Sequence, residues 1–201
     1  MKKLSALILA LALPLLFYQK RWMWYSLSVV VCMLVMCMTY QAASGIFPMF
    51  VVLLTLIWYV RKEDLKKIGS FILCSAVSYG IGVGIFFLFI MKHVSTYVSN
   101  GLADLSGIIA HYKTYLNYVR TDFRKLCLIV IALVVLCFVC RMVFESQRNK
   151  VITLMLSVVV AGVMFLLSFG LYPVLEEPLF EPRSMFGVGV YITFVFLAAQ
   201  G

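Results

Sequence analysis

The sequence predicts an all-α protein, a polytopic transmembrane helical bundle of about seven spans with one interfacial amphipathic helix. Two observations support this fold class. Hydrophobic residues make up 64% of the 201 residues and charged residues only 12%, whereas a soluble domain is about a quarter charged. The apolar residues also form long runs, and only helices or closed barrels satisfy their backbone groups in lipid. We therefore treat residues 1–201 as a single transmembrane domain.

Seven apolar runs approach the length of about 20 residues that a helix needs to cross a bilayer. The first run follows a basic start, as in a signal peptide, but no small-x-small cleavage site follows it, so we predict a retained span. In the fourth run, Gly80 and Gly84 have the spacing of a packing face, which favours close helix contact, with a flexible hinge as the alternative. The predicted spans are 4–19, 22–39, 45–60, 68–91, 126–144, 151–170 and 184–199.

The long connection 92–125 contains the predicted interfacial helix, at about 94–120. Its apolar residues recur at alternating steps of three and four, which places them on one helical face. Several tyrosines accompany them, and tyrosine suits the membrane interface. The residues of this face are Val98, Leu102, Leu105, Ile109, Tyr112, Leu116 and Val119.

The distribution of basic residues indicates how the predicted spans are oriented in the membrane. Seventeen Lys and Arg against eight Asp and Glu give a net charge of +9, but the basic residues lie at the ends of apolar runs, which favours lipid headgroups over nucleic acid. The connections on the two sides of the membrane contain nearly equal totals of Lys and Arg. The dense basic turns 61–67 and 141–150 decide the orientation, and we place them in the cytoplasm. The segment 92–125 and the loop 171–187 then share the outer face.

The loop LYPVLEEPLFEPRSMFG, residues 171–187, contains the strongest candidate for chemistry. Arg183 precedes the last span, where a guanidinium can bind a phosphate bidentately. Snorkelling to headgroups or a salt bridge within the loop are the alternatives. Glu176, Glu177 and Glu181 are candidates for a general base or a divalent-cation site, but their spacing fixes no metal and a solvated acidic loop is the simpler interpretation. We assign no metal and no certain cofactor, and a divalent cation stays open.

Four further residues are candidates for the rim of a site. Tyr40 and Gln41 precede a small-residue turn, where they line a substrate vestibule or only end the helix. Asp104 and His111 lie in the interfacial segment, and His111 has no metal-ligand partner one turn away, so it is expected to tune the interface. Every Asp and Glu falls in a loop or at a span edge, which counts against an ion-driven transporter.

The order of these features resembles the serotype-converting, type II glucosyltransferase family of bacterial and phage membrane proteins. A span ending in TYQAASGIFP and the turn RKEDLKKI are followed by a span containing Tyr79. The interfacial segment TYVSNGLADLSGIIAHYKTYLNYV and then PLFEPRSMFGVGVY complete the order. The most telling pieces are Tyr40-Gln41-Ala42 and Pro182-Arg183.

The resemblance implies a multi-pass glycosyltransferase of the bacterial cytoplasmic (inner) membrane. Such an enzyme takes a sugar from a polyprenyl-phosphate donor and attaches it to a cell-surface glycan such as O-antigen. It implies that Arg183 meets the donor phosphate at the rim formed by the residues above. The family's catalytic acid comes from an external loop near the N-terminus, and this chain opens at what looks like the family's middle. We therefore expect a partial enzyme whose catalytic residue is unassigned. The alternative is a non-enzymatic component of glycan export, a flippase or an accessory subunit that acts with partner membrane proteins.

Overall fold

The computed structural model describes residues 22–39, 41–91 and 102–200, and over these ranges the chain is helical apart from its turns. Leu102 and Leu175 form an isolated antiparallel bridge, and the described residues contain no β-strand. The predicted span 4–19 and the first part of the predicted interfacial helix lie outside the described residues. The helices are α1 (Trp22–Thr39), α2 (Ile46–Val60), α3 (Leu65–Ile85, continued by a π-helix over Phe86–Met91), α4 (Leu105–Asp122), α5 (Lys125–Glu145), α6 (Lys150–Leu167) and α7 (Phe186–Gln200).

Four helical stretches are long and apolar enough to cross a membrane, and the chain is accordingly membrane-associated. The apolar helices α1 and α7 are shorter. The all-helical class is confirmed, whereas the count of seven spans stays a prediction. The four long stretches are Gln41–Val60, Leu65–Phe89, Lys125–Glu145 and Lys150–Leu167.

Helix α2 lies at the centre of the packing. It contacts α3, α6 and α7, while α1 packs on α3 and α5 packs on both α6 and α7. The burial of the four long stretches reflects this arrangement: 56% of the α2 stretch is buried, against 17–28% for the others. The large apolar side chains left exposed on α5 and α6 suit contact with lipid tails, because lipid is as apolar as a protein interior.

One end of the structure, the basic end, joins the turns 61–64 and 146–149. The Gln147 amide donates to the Val60 carbonyl at 3.0 Å. The Arg148 guanidinium donates to the carbonyls of Tyr59 at 3.1 Å and Glu63 at 2.8 Å. It also lies 5.0 Å from the centre of the Tyr59 ring. One arginine therefore closes the ends of α2 and α6 on each other.

The close helix contact expected at Gly80 and Gly84 occurs at Gly82 instead. A Cβ built at Gly82 would lie 2.9 Å from Met33 Cβ and 3.3 Å from the Val30 carbonyl oxygen, both on α1. A Cβ at Gly80 or Gly84 would have no described atom of a neighbouring element within 4 Å. Among the described residues, α1 therefore covers the face of α3 that carries Gly82, since i, i+4 spacing identifies one face of a helix but not the face that a neighbour covers.

Candidate functional site

The end opposite the basic end is formed by three segments, 41–45, 102–119 and 168–185, which we call the rim. The first is a tight turn of small residues. Ser44 Oγ donates to the Gln41 carbonyl at 2.6 Å and accepts from the Leu171 amide at 3.0 Å. Gly170 has a φ of +63°, and a Cβ there would lie 2.8 Å from Ser44 Oγ. Small residues are therefore required because two turns dock backbone to backbone.

Gln41 begins a short 3-10 helix, Gln41–Ala43, and its side chain is half-buried. This short helix lies next to the 3-10 turn Pro182–Met185 that leads into α7. Tyr40 lies outside the described residues. The structure thus brings Gln41 to the segment that contains Arg183, two positions far apart in the sequence.

Helix α4 and the residues just before it dock on the loop 171–181 through three hydrogen bonds. His111 Nδ1 lies 3.0 Å from the Pro173 carbonyl oxygen. The Tyr115 hydroxyl donates to the Leu179 carbonyl at 2.8 Å, and the Ala103 amide donates to the Val174 carbonyl at 3.0 Å. The predicted neighbourhood of the tyrosine-rich helix and the proline-rich loop is confirmed by these contacts.

An aromatic cluster lies beneath α4. The Tyr115 side chain is fully buried, with its ring centre 4.9 Å from Phe169 and 4.9 Å from Phe180. Phe165 continues the cluster from Phe169 toward Tyr191 of α7. Burial raises the pKa of the Tyr115 hydroxyl, so this group remains a hydrogen-bond donor to the loop at neutral pH.

The apolar face predicted for α4 divides into two sides. Val119 is buried against the protein and Tyr112 is half-buried, whereas Leu105, Ile109 and Leu116 are exposed. Sequence periodicity missed Tyr115, the most buried residue of the helix, because it lies beside the predicted stripe. A 3–4 repeat finds apolar positions but does not distinguish protein contact from lipid contact.

Asp104 is the N-cap of α4. Its carboxylate accepts hydrogen bonds from the Gly107 amide at 2.8 Å and the Ser106 hydroxyl at 2.7 Å. These two donors lower the pKa of the Asp104 carboxyl. These two hydrogen bonds are those of a helix cap, and they fix where α4 begins at the rim.

The charged part of the rim lies in residues 176–183. Glu176, Glu177 and Glu181 are exposed, and the Glu181 carbonyl accepts from the amide and hydroxyl of Ser184, at 2.8 and 2.7 Å. The backbone of Arg183 lies in the turn that these bonds close, and its side chain is outside what the structure describes. Within residues 22–39, 41–91 and 102–200, no three His, Cys, Asp or Glu side chains form a group that could hold a metal ion.

The family model described as Glucosyl transferase GtrII matches residues 3–196 of the chain. No curated protein and no solved structure matches the chain significantly. The family match covers all three segments of the rim as well as the helices that carry them. The chain therefore belongs to the glucosyl transferase GtrII family.

Proposed function

We propose that the chain acts in the bacterial cytoplasmic membrane as a multi-pass glucosyltransferase. In this proposal it takes glucose from a polyprenyl-phosphate donor and transfers it to a cell-surface glycan on the outer side. Membership of the family supports the reaction class. The observation that carries the proposal is the meeting of 41–45, 102–119 and 168–185 at one end of the apolar helices.

The donor in this proposal has its lipid tail in the bilayer and its phosphate at headgroup depth. The turn Pro182–Met185 leads directly into the apolar helix α7, which supports the proposal that Arg183 lies at the level of such a phosphate. A guanidinium binds phosphate oxygens bidentately and keeps its charge. We assign to Arg183 the binding of the donor phosphate.

In the transfer, the acceptor hydroxyl attacks the anomeric carbon and gives its proton to a general base. The bond between that carbon and the phosphate oxygen breaks, and polyprenyl phosphate leaves with the electron pair. Charge develops on the leaving phosphate, where a fixed cation stabilises the transition state more than the ground state. Glu176, Glu177 and Glu181 all lie within the seven residues before Arg183, and we propose that they orient it.

The test compares Arg183→Ala, Arg183→Lys and Lys113→Ala in the full chain reconstituted in lipid nanodiscs. Binding is measured directly in the nanodiscs with polyprenyl-phosphoglucose labelled in the sugar. Transfer is measured separately, in cells that express each variant, as labelled sugar in the surface glycan. Loss of a charged hydrogen bond costs about 1.5–3 kcal/mol, so Arg183→Ala should weaken binding about 10- to 100-fold.

Arg183→Lys should weaken donor binding by an intermediate amount, because lysine keeps the charge without the bidentate geometry. Lys113 is exposed on α4, so Lys113→Ala removes the same charge from the same end and should change neither quantity. Unchanged binding and transfer in Arg183→Ala would contradict the proposal. Movement of the donor across vesicle membranes without transfer would favour an export component instead.

A further inference from the structure

Helix α4 presents its two apolar sides in different directions. Leu105, Ile109 and Leu116 are exposed on one side, while Tyr115 is fully buried on another. Tyr118 is nine residues after Ile109, which at about 100° per residue places it about 180° around the helix. An exposed leucine and isoleucine side suits the acyl chains of the membrane interface. Tyr118 therefore lies on the side of α4 that is turned away from lipid.

The ring of Phe180 is held beside Tyr118 by its neighbours. The Tyr115 hydroxyl fixes the preceding residue through the Leu179 carbonyl, at 2.8 Å. The Tyr115 ring packs on Phe180 with centres 4.9 Å apart, and the His111 ring meets it edge-on at 6.2 Å. Because these contacts come from two successive turns of α4, Phe180 is positioned before any ligand arrives.

The rings of Tyr118 and Phe180 are parallel, with an angle of 1° between their planes and centres 6.2 Å apart. Both side chains are partly exposed. We call this pair the aromatic shelf. Phe180 immediately precedes the charged turn 181–185 that contains Arg183, so the shelf lies at the rim beside the proposed phosphate site.

A hexopyranose ring is the ligand whose chemistry fits such a surface. One face of the sugar carries several C–H groups, which pack on the negative face of an aromatic ring. Its hydroxyl groups need polar partners at the edge. Asp122 is exposed and lies one turn after Tyr118, at the i+4 position on the neighbouring side of the helix, where its carboxylate can accept hydrogen bonds.

We propose that the Tyr118–Phe180 shelf binds a hexopyranose ring of a transfer substrate, an inference that rests on the proposed function. The sugar belongs either to the donor or to the acceptor glycan. The probes are methyl β-D-glucopyranoside, which has neither phosphate nor lipid, and polyprenyl-phosphoglucose compared with polyprenyl phosphate. The full chain in nanodiscs is studied by saturation-transfer NMR for the glycoside and by direct binding for the lipids.

Saturation should reach the C–H protons of the glycoside at millimolar concentration. Tyr118→Leu and Phe180→Leu should each weaken this binding by about 3- to 10-fold, the range that loss of an aromatic contact gives, and Tyr118→Phe should retain it. If the shelf holds the donor sugar, the two leucine variants also lose the preference for polyprenyl-phosphoglucose over polyprenyl phosphate. If it holds the acceptor, that preference is unchanged.

Tyr112→Leu is the matched control. Tyr112 is a half-buried tyrosine of the same helix, in edge contact with Phe169 and not part of the shelf. Absence of saturation transfer in the wild type, or equal losses in Tyr118→Leu and Tyr112→Leu, would overturn the inference. Its failure is separable from failure of the proposed function, because Arg183→Ala should weaken lipid-donor binding while the glycoside signal persists.

Discussion

We expect Gly187→Ala to force α7 away from the end of α6 and so to disturb the rim. A Cβ built at Gly187 collides with the Ser168 carbonyl oxygen, and it would lie 2.8 Å from the Ser168 carbonyl carbon. The obstacle is backbone, which cannot rotate aside as a flexible side chain can. Gly187 is also only two residues beyond the turn Pro182–Met185, so the displacement reaches the segment that contains Arg183.

The magnitude follows from two opposing terms. Forcing extra atoms into a packed interior costs about 1–3 kcal/mol, and a backbone obstacle places the cost at the upper limit. Alanine recovers about 1 kcal/mol through its higher helix propensity. The expected net loss in the free energy of unfolding is therefore about 2 kcal/mol. At Gly189, where a Cβ would meet no described atom within 4 Å, alanine should instead stabilise the helix by up to about 1 kcal/mol.

The assay is unfolding of the purified protein by titration with dodecyl sulfate in mixed micelles, with helicity followed by circular dichroism. The two alanine variants differ only in their position on α7, so the comparison removes effects of composition. Donor binding should also fall in Gly187→Ala and remain in Gly189→Ala. Equal free energies of unfolding for the two variants would refute the reasoning, because the predicted difference comes only from the contact with Ser168.

Two further predictions concern the ends of the helices. Arg148→Ala removes charged hydrogen bonds to the carbonyls of Tyr59 and Glu63 and should cost about 3 kcal/mol in the same unfolding assay, since each such bond contributes about 1.5–3 kcal/mol and water reaches part of the site. Arg148→Lys should lose about half of this amount because lysine cannot reach both acceptors. Lys66 is exposed, so Lys66→Ala is the control and should change the free energy of unfolding by no more than about 0.5 kcal/mol. Equal effects of Arg148→Ala and Lys66→Ala would count against this role for Arg148. For Asp104, the folded-state pKa is lowered by the Ser106 hydroxyl and the Gly107 amide, so its carboxylate stabilises the fold above the unfolded pKa, and this contribution is lost as the pH falls through the folded pKa. Thermal stability should therefore fall below about pH 4 and fall less in Asp104→Asn, which does not titrate; the same loss in both proteins would contradict this assignment.

Composition was sufficient to predict the helical class, because long apolar runs leave few alternatives in lipid. Helix ends depended on caps that the prediction did not use. The fourth predicted span begins at Leu65 and not at residue 68, because the Asp64 carboxylate accepts from the Lys66 amide and starts the helix earlier. Helix α6 ends at Leu167, before the predicted residue 170, where the left-handed Gly170 forms the turn. Asp and Asn before a helix and Gly after it are signals that a sequence does contain.

The rim could be predicted only in part. The amphipathic segment and the proline-rich loop were identified as neighbours from their places between spans. Their contacts were not identified, because the Ser44 and Leu171 pair and the Tyr115 and Leu179 pair join positions distant in sequence. Hydrogen bonds to backbone carbonyls leave no residue pattern, since any residue supplies the acceptor. Tyr115 and Phe180 were therefore missed as the residues that hold α4 to the loop.

The position of the rim follows from the alternation of the helices and does not depend on which side of the membrane it faces. Helices α2 and α6 both join the two ends of the structure: Ser44 and Leu171 meet at one end, and Val60 and Gln147 meet at the other. Connections that are two helices apart must lie at the same end, so the rim segments 41–45, 102–119 and 168–185 come together while the basic turns 61–64 and 146–149 meet opposite them. A reversal of the orientation would exchange the compartments but would keep Gln41, His111 and the backbone of Arg183 in one neighbourhood. The orientation chosen from basic-residue density therefore decides only which compartment the rim faces, whereas the segments that form the rim are fixed by the connectivity of the helices.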